Sequence, residues 1–268
     1  SQPPYFSHMV RLLARRGNRT LTLLEYLPYM LTEYQFWMKG RRTLGAMEES
    51  ASMRRVVRMA DGSMLGRYYD NKSTPRPESL REDVETADGY NGDDLEKIYL
   101  DLRAGAESGW DFSSRWFDDP DEISSIRTTD IVPVDLNCLL YHLESTIAET
   151  YQMMLQPLLA RKFRRFAERR KAAINKYMWD SDEQFFVDYD FRHAKRTGRM
   201  TLAGVYPLFV KIATPAQAKA VAKRIEDDFL KKGGLVTTLI DNGQQWDSPN
   251  GWAPLHWVVI QGLREYGY

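Results

Sequence analysis

Asp135-Leu136-Asn137-Cys138-Leu139-Leu140-Tyr141-His142-Leu143-Glu144-Ser145-Thr146-Ile147 is the stretch that decides the fold class. Leu136, Leu140, Leu143 and Ile147 fall at intervals of four, three and four. That spacing lines them along one face, because an α-helix returns to the same side about every 3.6 residues. Working outward, Ala218, Val221, Ala222, Ile225 and Phe229 repeat the pattern. This second helix is predicted to start after Thr214, a good N-cap followed by Pro215 in the first turn, and to stop at Gly233-Gly234, where a left-handed C-cap is easy. Leu21 to Met38, Leu95 to Ala104, Pro157 to Met178 and Ala253 to Tyr266 read as further helices. Strand is sparse: Arg55 to Met59 and Met64 to Tyr69 flank Asp61-Gly62 as a hairpin, and Phe185 to Tyr189 suits a short paired strand. Helices of this length joined by long loops predict an all-α domain of stacked helical hairpins, with no sustained heptad or short repeat.

The 268 residues, 43% of them hydrophobic, suffice for a sizeable core, and the lack of a linker favours one domain. Lys plus Arg and Asp plus Glu are 37 each, so nothing in the net charge draws the chain to nucleic acid or an anionic membrane. The densest basic run, Lys162 to Arg165 with Arg169-Arg170-Lys171, reads as a solvated helix face. Cys138, the one cysteine, lies in an apolar run and reads as a small buried hydrophobe. No apolar stretch approaches the roughly 18 to 20 residues of a membrane span. The opening Ser1-Gln2-Pro3-Pro4 reads like the interior of a longer protein.

Three loops carry the chemistry. In Ser73 to Ser79 two prolines stiffen an extended backbone, on which Arg76 and Glu78, two apart, would point to one side and could bind vicinal hydroxyls. On the residues alone, a surface loop with a salt bridge is the preferred reading. In Ala104 to Trp116, Gly109 permits close approach to a ligand, and Trp110 and Trp116 offer stacking surfaces. Asp111 stands among these aromatics, where desolvation should raise its pKa as a general acid requires. Asp111 could equally cap a helix starting near Ser113, and on the residues alone both readings stay open. Gln244 to Trp257 sets Trp246, Trp252 and Trp257 among Gln, Asp, Asn and Gly, a dense patch for a polyhydroxylated ligand. Asp247 there reads as an Asx-turn or helix cap. Asp180, Asp182 and Glu183 lack the glycine of a calcium loop, and the four histidines lack ligand spacing, so no metal or cofactor is expected. Phosphate-loop, dinucleotide and nucleophile-elbow motifs are absent from the sequence.

Gln245 to Pro254 resembles the signature of trehalases, Gln-Trp-Asp-x-Pro-x-Gly-Trp-x-Pro. Arg76-Pro77-Glu78 is similar to the family's sugar-binding Arg-Pro-Glu, and Ser108 to Trp116 to the motif holding its general acid. The resemblance runs from Ser1 to Leu263. It implies an (α/α)6 toroid, and hydrolysis of α,α-trehalose to two glucoses with inversion. Residue by residue it implies Asp111 as general acid, with Gln2, Arg76, Glu78, Gly109 and Trp246 contacting sugar. Compared with the family pattern, an upstream signature rich in Gly, Arg, Phe and Glu is missing. So is the downstream glycine-rich stretch ending in Glu-Tyr-Pro, whose Glu is the general base. Residues 1–268 are therefore expected to be part of a single catalytic domain, incomplete at both ends and inactive alone. Glu107 is not expected to replace the base, because Gly109 should break the helix between Glu107 and Asp111. A sugar-binding remnant and a glycosidase for another α-linked disaccharide are the alternatives. The disaccharide is the one expected partner of a monomer, and the cytoplasmic form of the family is favoured, with the periplasmic form left open.

Overall fold

The computed structural model describes residues 2–45 and 49–268; Ser1, where the resemblance begins, lies outside them. Helix dominates. In chain order the helices are α1 (Phe6–Arg16), α2 (Arg19–Trp37), α3 (Leu80–Thr86), α4 (Gly92–Ser108) and α5 (Val134–Met153), then α6 (Pro157–Met178), α7 (Tyr206–Phe209), α8 (Pro215–Arg224) and α9 (Ala253–Arg264). Leu136, Leu140, Leu143 and Ile147 are all fully buried along α5, as their spacing requires. Helix α1 is an addition to the elements expected from sequence; Val10 and Ala14 are buried on it while Met9, Leu12 and Leu13 are exposed. Among the described residues no helix is long and apolar enough to cross a membrane.

The chain forms two compact units, residues 3–66 with 135–177, and residues 67–134 with 178–268 and Gln2. In the first, the predicted hairpin is real, pairing Val56–Arg58 with Met64–Gly66. A third strand, Ala51–Met53, extends it. The turn is longer than a two-residue Asp-Gly turn: the Met59 N–H donates to Ser63 O, and the Asp61 carboxylate accepts from the Ser63 N–H. Tyr34 of α2 lies against Phe163 and Phe166 of α6, with ring centroids 5.2 and 6.3 Å away. One residue of the basic run departs from the solvated face. Arg170 is 3% exposed, its Nε and Nη2 donating to Glu144 at 3.0 and 2.8 Å and its Nη1 to Asn137 Oδ1 at 2.9 Å. Helical phase turns this one arginine inward, where it must be paired, while Lys162, Arg164, Arg165 and Arg169 stay exposed.

The other unit holds α3, α4 and α7 to α9 with most of the long loops. Thr214 opens α8 with a full capping box, its hydroxyl accepting from the Gln217 N–H while the Gln217 side chain accepts from the Thr214 N–H. The predicted end of that helix is corrected. The α-helix closes at Arg224, a π-helical turn covers Ile225–Phe229, and Gly233-Gly234 turns a short ladder between Leu230–Lys231 and Gly234–Leu235. The wider turn seats Phe229 fully buried, stacked on Phe185. The Asp180 carboxylate accepts from the Asp182 and Glu183 N–H groups, and Glu183 pairs with Arg224, so this acidic stretch is a satisfied turn.

Candidate active site

The predicted site residues of the second unit are brought together by one helix end and two loops. Helix α4 stops because Gly109 adopts φ 80°, ψ 4°, a left-handed conformation that costs glycine little. A Cβ there would already touch the Trp252 ring at 3.7 Å. The chain then reverses on Ser108, whose hydroxyl donates to Gly105 O and accepts from the Trp110 N–H. Trp110 and Trp116 do not offer the expected stacking surfaces: they are 2% and 0% exposed. The Arg115 guanidinium lies over both rings, at 4.8 and 4.3 Å from their centroids, and forms a two-nitrogen pair with Asp188. A buried cation needs such neighbours, and the two indoles are spent on it.

Ser113 takes the capping role that was one of the two readings of Asp111. Its own hydroxyl caps the short 3-10 helix Ser114–Trp116 by accepting from the Arg115 N–H, so Asp111 has no capping duty. The Asp111 side chain is 28% exposed. Its Oδ1 accepts from the Trp246 Nε1–H at 2.9 Å, and its Oδ2 lies 3.5 Å from Arg76 Nη1.

Arg76 is no surface residue; it is 2% exposed. Its backbone N–H donates to Asp83 Oδ2 at 2.7 Å, its Nε reaches both Asp83 oxygens, and its Nη2 donates to Oδ1 at 2.6 Å. Burial works against the guanidinium charge, but the hydrogen bonds and charge of Asp83, with the charges of Asp111 and Glu78, outweigh it and raise the Arg76 pKa. The pleated backbone expected for Arg76 to Glu78 is absent, because a 3-10 turn, Pro77–Ser79, begins directly after Arg76. Glu78 is exposed, and its charge is nonetheless felt at Arg76. Gln2 is exposed in the same compact unit.

The third loop is docked onto the second. The Trp246 N–H donates to Phe112 O, and its ring lies 4.7 Å from that of Trp252, both half-buried. Asp247 is neither a cap of α9 nor a surface turn. It is fully buried and accepts from Ser113 Oγ (2.8 Å), the Ser114 N–H (2.8 Å) and Thr238 Oγ1 (3.1 Å). His256 fastens the start of α9, accepting the Leu235 N–H on Nε2 and meeting Trp252 O through Nδ1. Asp83 is a contributor that the sequence did not point to, and Asp247, expected as a turn or cap, is a buried anchor instead. Asp83 carried no signal, since a seven-residue separation implies no contact without the fold. The result is a half-open carboxyl group flanked by an indole donor, a cation and two ring faces, which is equipment for proton transfer to a hydroxylated ligand.

A family model described as trehalase matches residues 1–268. The chain belongs to the trehalase family. It is 46% identical over 267 residues to the periplasmic trehalase of Salmonella agona (strain SL483), covering 100% of this chain and 46% of that protein. The periplasmic trehalase of Salmonella newport (strain SL254) is equally similar. The chain thus spans about half the length of the curated trehalases it matches. Among solved structures, neutral trehalase Nth1 from Saccharomyces cerevisiae superposes with a TM-score of 0.79 at 25% identity, over 100% of this chain and 53% of that one. A GH63 mannosylglycerate hydrolase from Thermus thermophilus, solved with glucose, superposes at 0.62 and 18% identity, over 100% of this chain and 63% of that one, a likeness of fold alone. The chain is accordingly of the all-α, (α/α)6 class that its sequence implied.

Proposed function

We propose that this chain supplies the general-acid half of an inverting α,α-trehalase site, and that both of its units belong to one catalytic domain. The observation that carries the reading is the environment of Asp111: a half-open carboxyl with Trp246 Nε1–H on one oxygen and Arg76 near the other. Asp111 protonates the glycosidic oxygen as the bond to the anomeric carbon breaks, and one glucose leaves as a neutral alcohol. A water attacks that carbon from the opposite face and gives its proton to a second carboxylate, which inversion requires roughly 6.5 to 9.5 Å from the first. Gln2, Arg76, Glu78 and the Gly109 backbone contact sugar hydroxyls, and Trp246 walls the glucose subsite.

The carboxylates nearest in the chain and fold are otherwise committed. Glu107 is buried and accepts from the Tyr69 N–H, Asp83 holds Arg76, and Asp247 holds the third loop. As the trehalase resemblance implies, we assign the base to residues outside 1–268. For the compartment, the names of the Salmonella relatives favour the periplasm over the cytoplasmic placement expected from sequence. The protein acts on the disaccharide as a monomer.

The test is glucose release from trehalose by the product of the complete reading frame. Asp111→Asn is expected to lower kcat by about 10² to 10⁴-fold, the range for loss of a general acid. Polarimetry of the wild-type reaction should show the inverted anomer. Undiminished activity in Asp111→Asn would remove the assignment.

A further inference from the structure

A carboxylic acid has two oxygens, and only one can carry the proton to be donated. At Asp111 the surroundings distinguish them. Oδ1 accepts a well-formed hydrogen bond of 2.9 Å from Trp246 Nε1, whereas Arg76 Nη1 stands 3.5 Å from Oδ2, beyond a strong hydrogen bond. Indole nitrogen is a donor only. A proton on Oδ1 would compete with the indole hydrogen for that oxygen and weaken this bond, so the indole favours the proton of the neutral acid on Oδ2.

The loop that carries the indole is held at three points. The Trp246 backbone N–H donates to Phe112 O, one residue beyond Asp111, at 3.0 Å, and the Trp246 carbonyl accepts from Thr237 Oγ1. The next residue, Asp247, is fully buried and ties the loop to Ser113 and Ser114, two and three residues beyond Asp111. The donor and the acid are therefore tied in register by contacts between the residues that directly follow Asp111 and the loop at Trp246 and Asp247. Such fastening exceeds what a flat wall for a sugar ring needs, because a wall tolerates sliding and a hydrogen bond does not.

We infer that Trp246 is a positioning residue for the general acid: its indole N–H, on a loop held by the buried Asp247, keeps Asp111 Oδ1 as an acceptor and directs the transferable proton to Oδ2. This rests on Asp111 being the acid, and goes beyond the role of Trp246 as a subsite wall.

The experiment compares two substrates in the product of the complete reading frame. The leaving group of trehalose is glucose, whose anomeric oxygen needs the proton; the leaving group of α-glucosyl fluoride is fluoride, which does not. Asp111→Asn sets the reference. If it lowers trehalose turnover and spares the fluoride, Asp111 is the acid; if it spares trehalose, the underlying reading fails independently of Trp246. Against that reference, Trp246→Phe keeps an aromatic face but removes the donor. It is expected to lower kcat on trehalose by about 10 to 10²-fold with KM little changed, and to leave turnover of the fluoride within about threefold. Asp247→Asn should shift the same ratio in the same direction; should it fail to fold, Trp246→Phe decides alone. An equal loss on both substrates, a rise in KM with kcat unchanged, or no loss on trehalose would each overturn the inference.

Discussion

Arg76 shows how one side chain can serve two neighbours without being divided between them. Asp83 takes its backbone N–H, Nε and Nη2, and Nη1 is left to stand beside Asp111. Planarity makes this possible, since the guanidinium fork fixes where its remaining nitrogen points. Asp83 is 1% exposed, so its removal strands a buried cation. Asp83→Ala is expected to destabilise the protein by about 3 to 5 kcal/mol, the cost of breaking a buried pair from one side. Chemical denaturation of variant and wild type measures it, and a loss under about 1 kcal/mol would mean that Arg76 finds water or another partner instead. The family resemblance, more than residue identity, suggested Arg76, Glu78 and Asp111 as ligand-facing groups. It could not say that Arg76 would be buried and Glu78 exposed, because that depends on a 3-10 turn beginning between them.

Between elements, the pairing of α1 with α5 stores a pH dependence. His8 and His142 stack with centroids 3.4 Å apart and planes 11° apart, and the Ser7 hydroxyl meets His142 Nδ1 at 2.8 Å. Burial, then the nearby charges of Arg11 and Arg15, lower the His8 pKa to about 3. Burial, then His8, Arg11 and Arg15, hold His142 well below its ordinary value. Both rings are thus neutral when folded, while in the unfolded chain they protonate with a pKa of ~6.5. Below that pH the unfolded state binds more protons. Stability is therefore lost as pH falls from ~6.5 toward the folded pKa, by about 1.4 kcal/mol per pH unit for each histidine. His8→Phe, which keeps a ring in the stack, should flatten this slope by one histidine's share when denaturation midpoints at pH 7 and pH 5 are compared. A slope equal to wild type would show that His8 is not a source of the acid sensitivity. Helix ends were legible where a local signal governs them, as at Thr214 and Gly109. They were illegible where burial governs: α8 yields to a π-helical turn that seats Phe229, and no capping motif announces that.

For the molecule as a whole, the general base is proposed to lie outside residues 1–268. Residues 1–268 alone are expected to release no glucose from trehalose, while the product of the complete reading frame does. A coupled glucose assay on the two proteins decides it; activity in the shorter one would place a base within residues 1–268. The class of fold, the family and the residues bearing on Asp111 could be read from the chain, because helical periodicity and the motifs around Arg76, Asp111 and Trp246 are local patterns. What tertiary structure decided was the use of each group. Trp110 and Trp116 went to a buried Arg115, and Asp247 became the anchor between two loops. Trp246 was turned so that its N–H meets Asp111. Periodicity and motifs act over a few residues, whereas burial and hydrogen-bond partnership join groups such as Asp111 and Trp246, 135 positions apart, and only the folded chain brings those together.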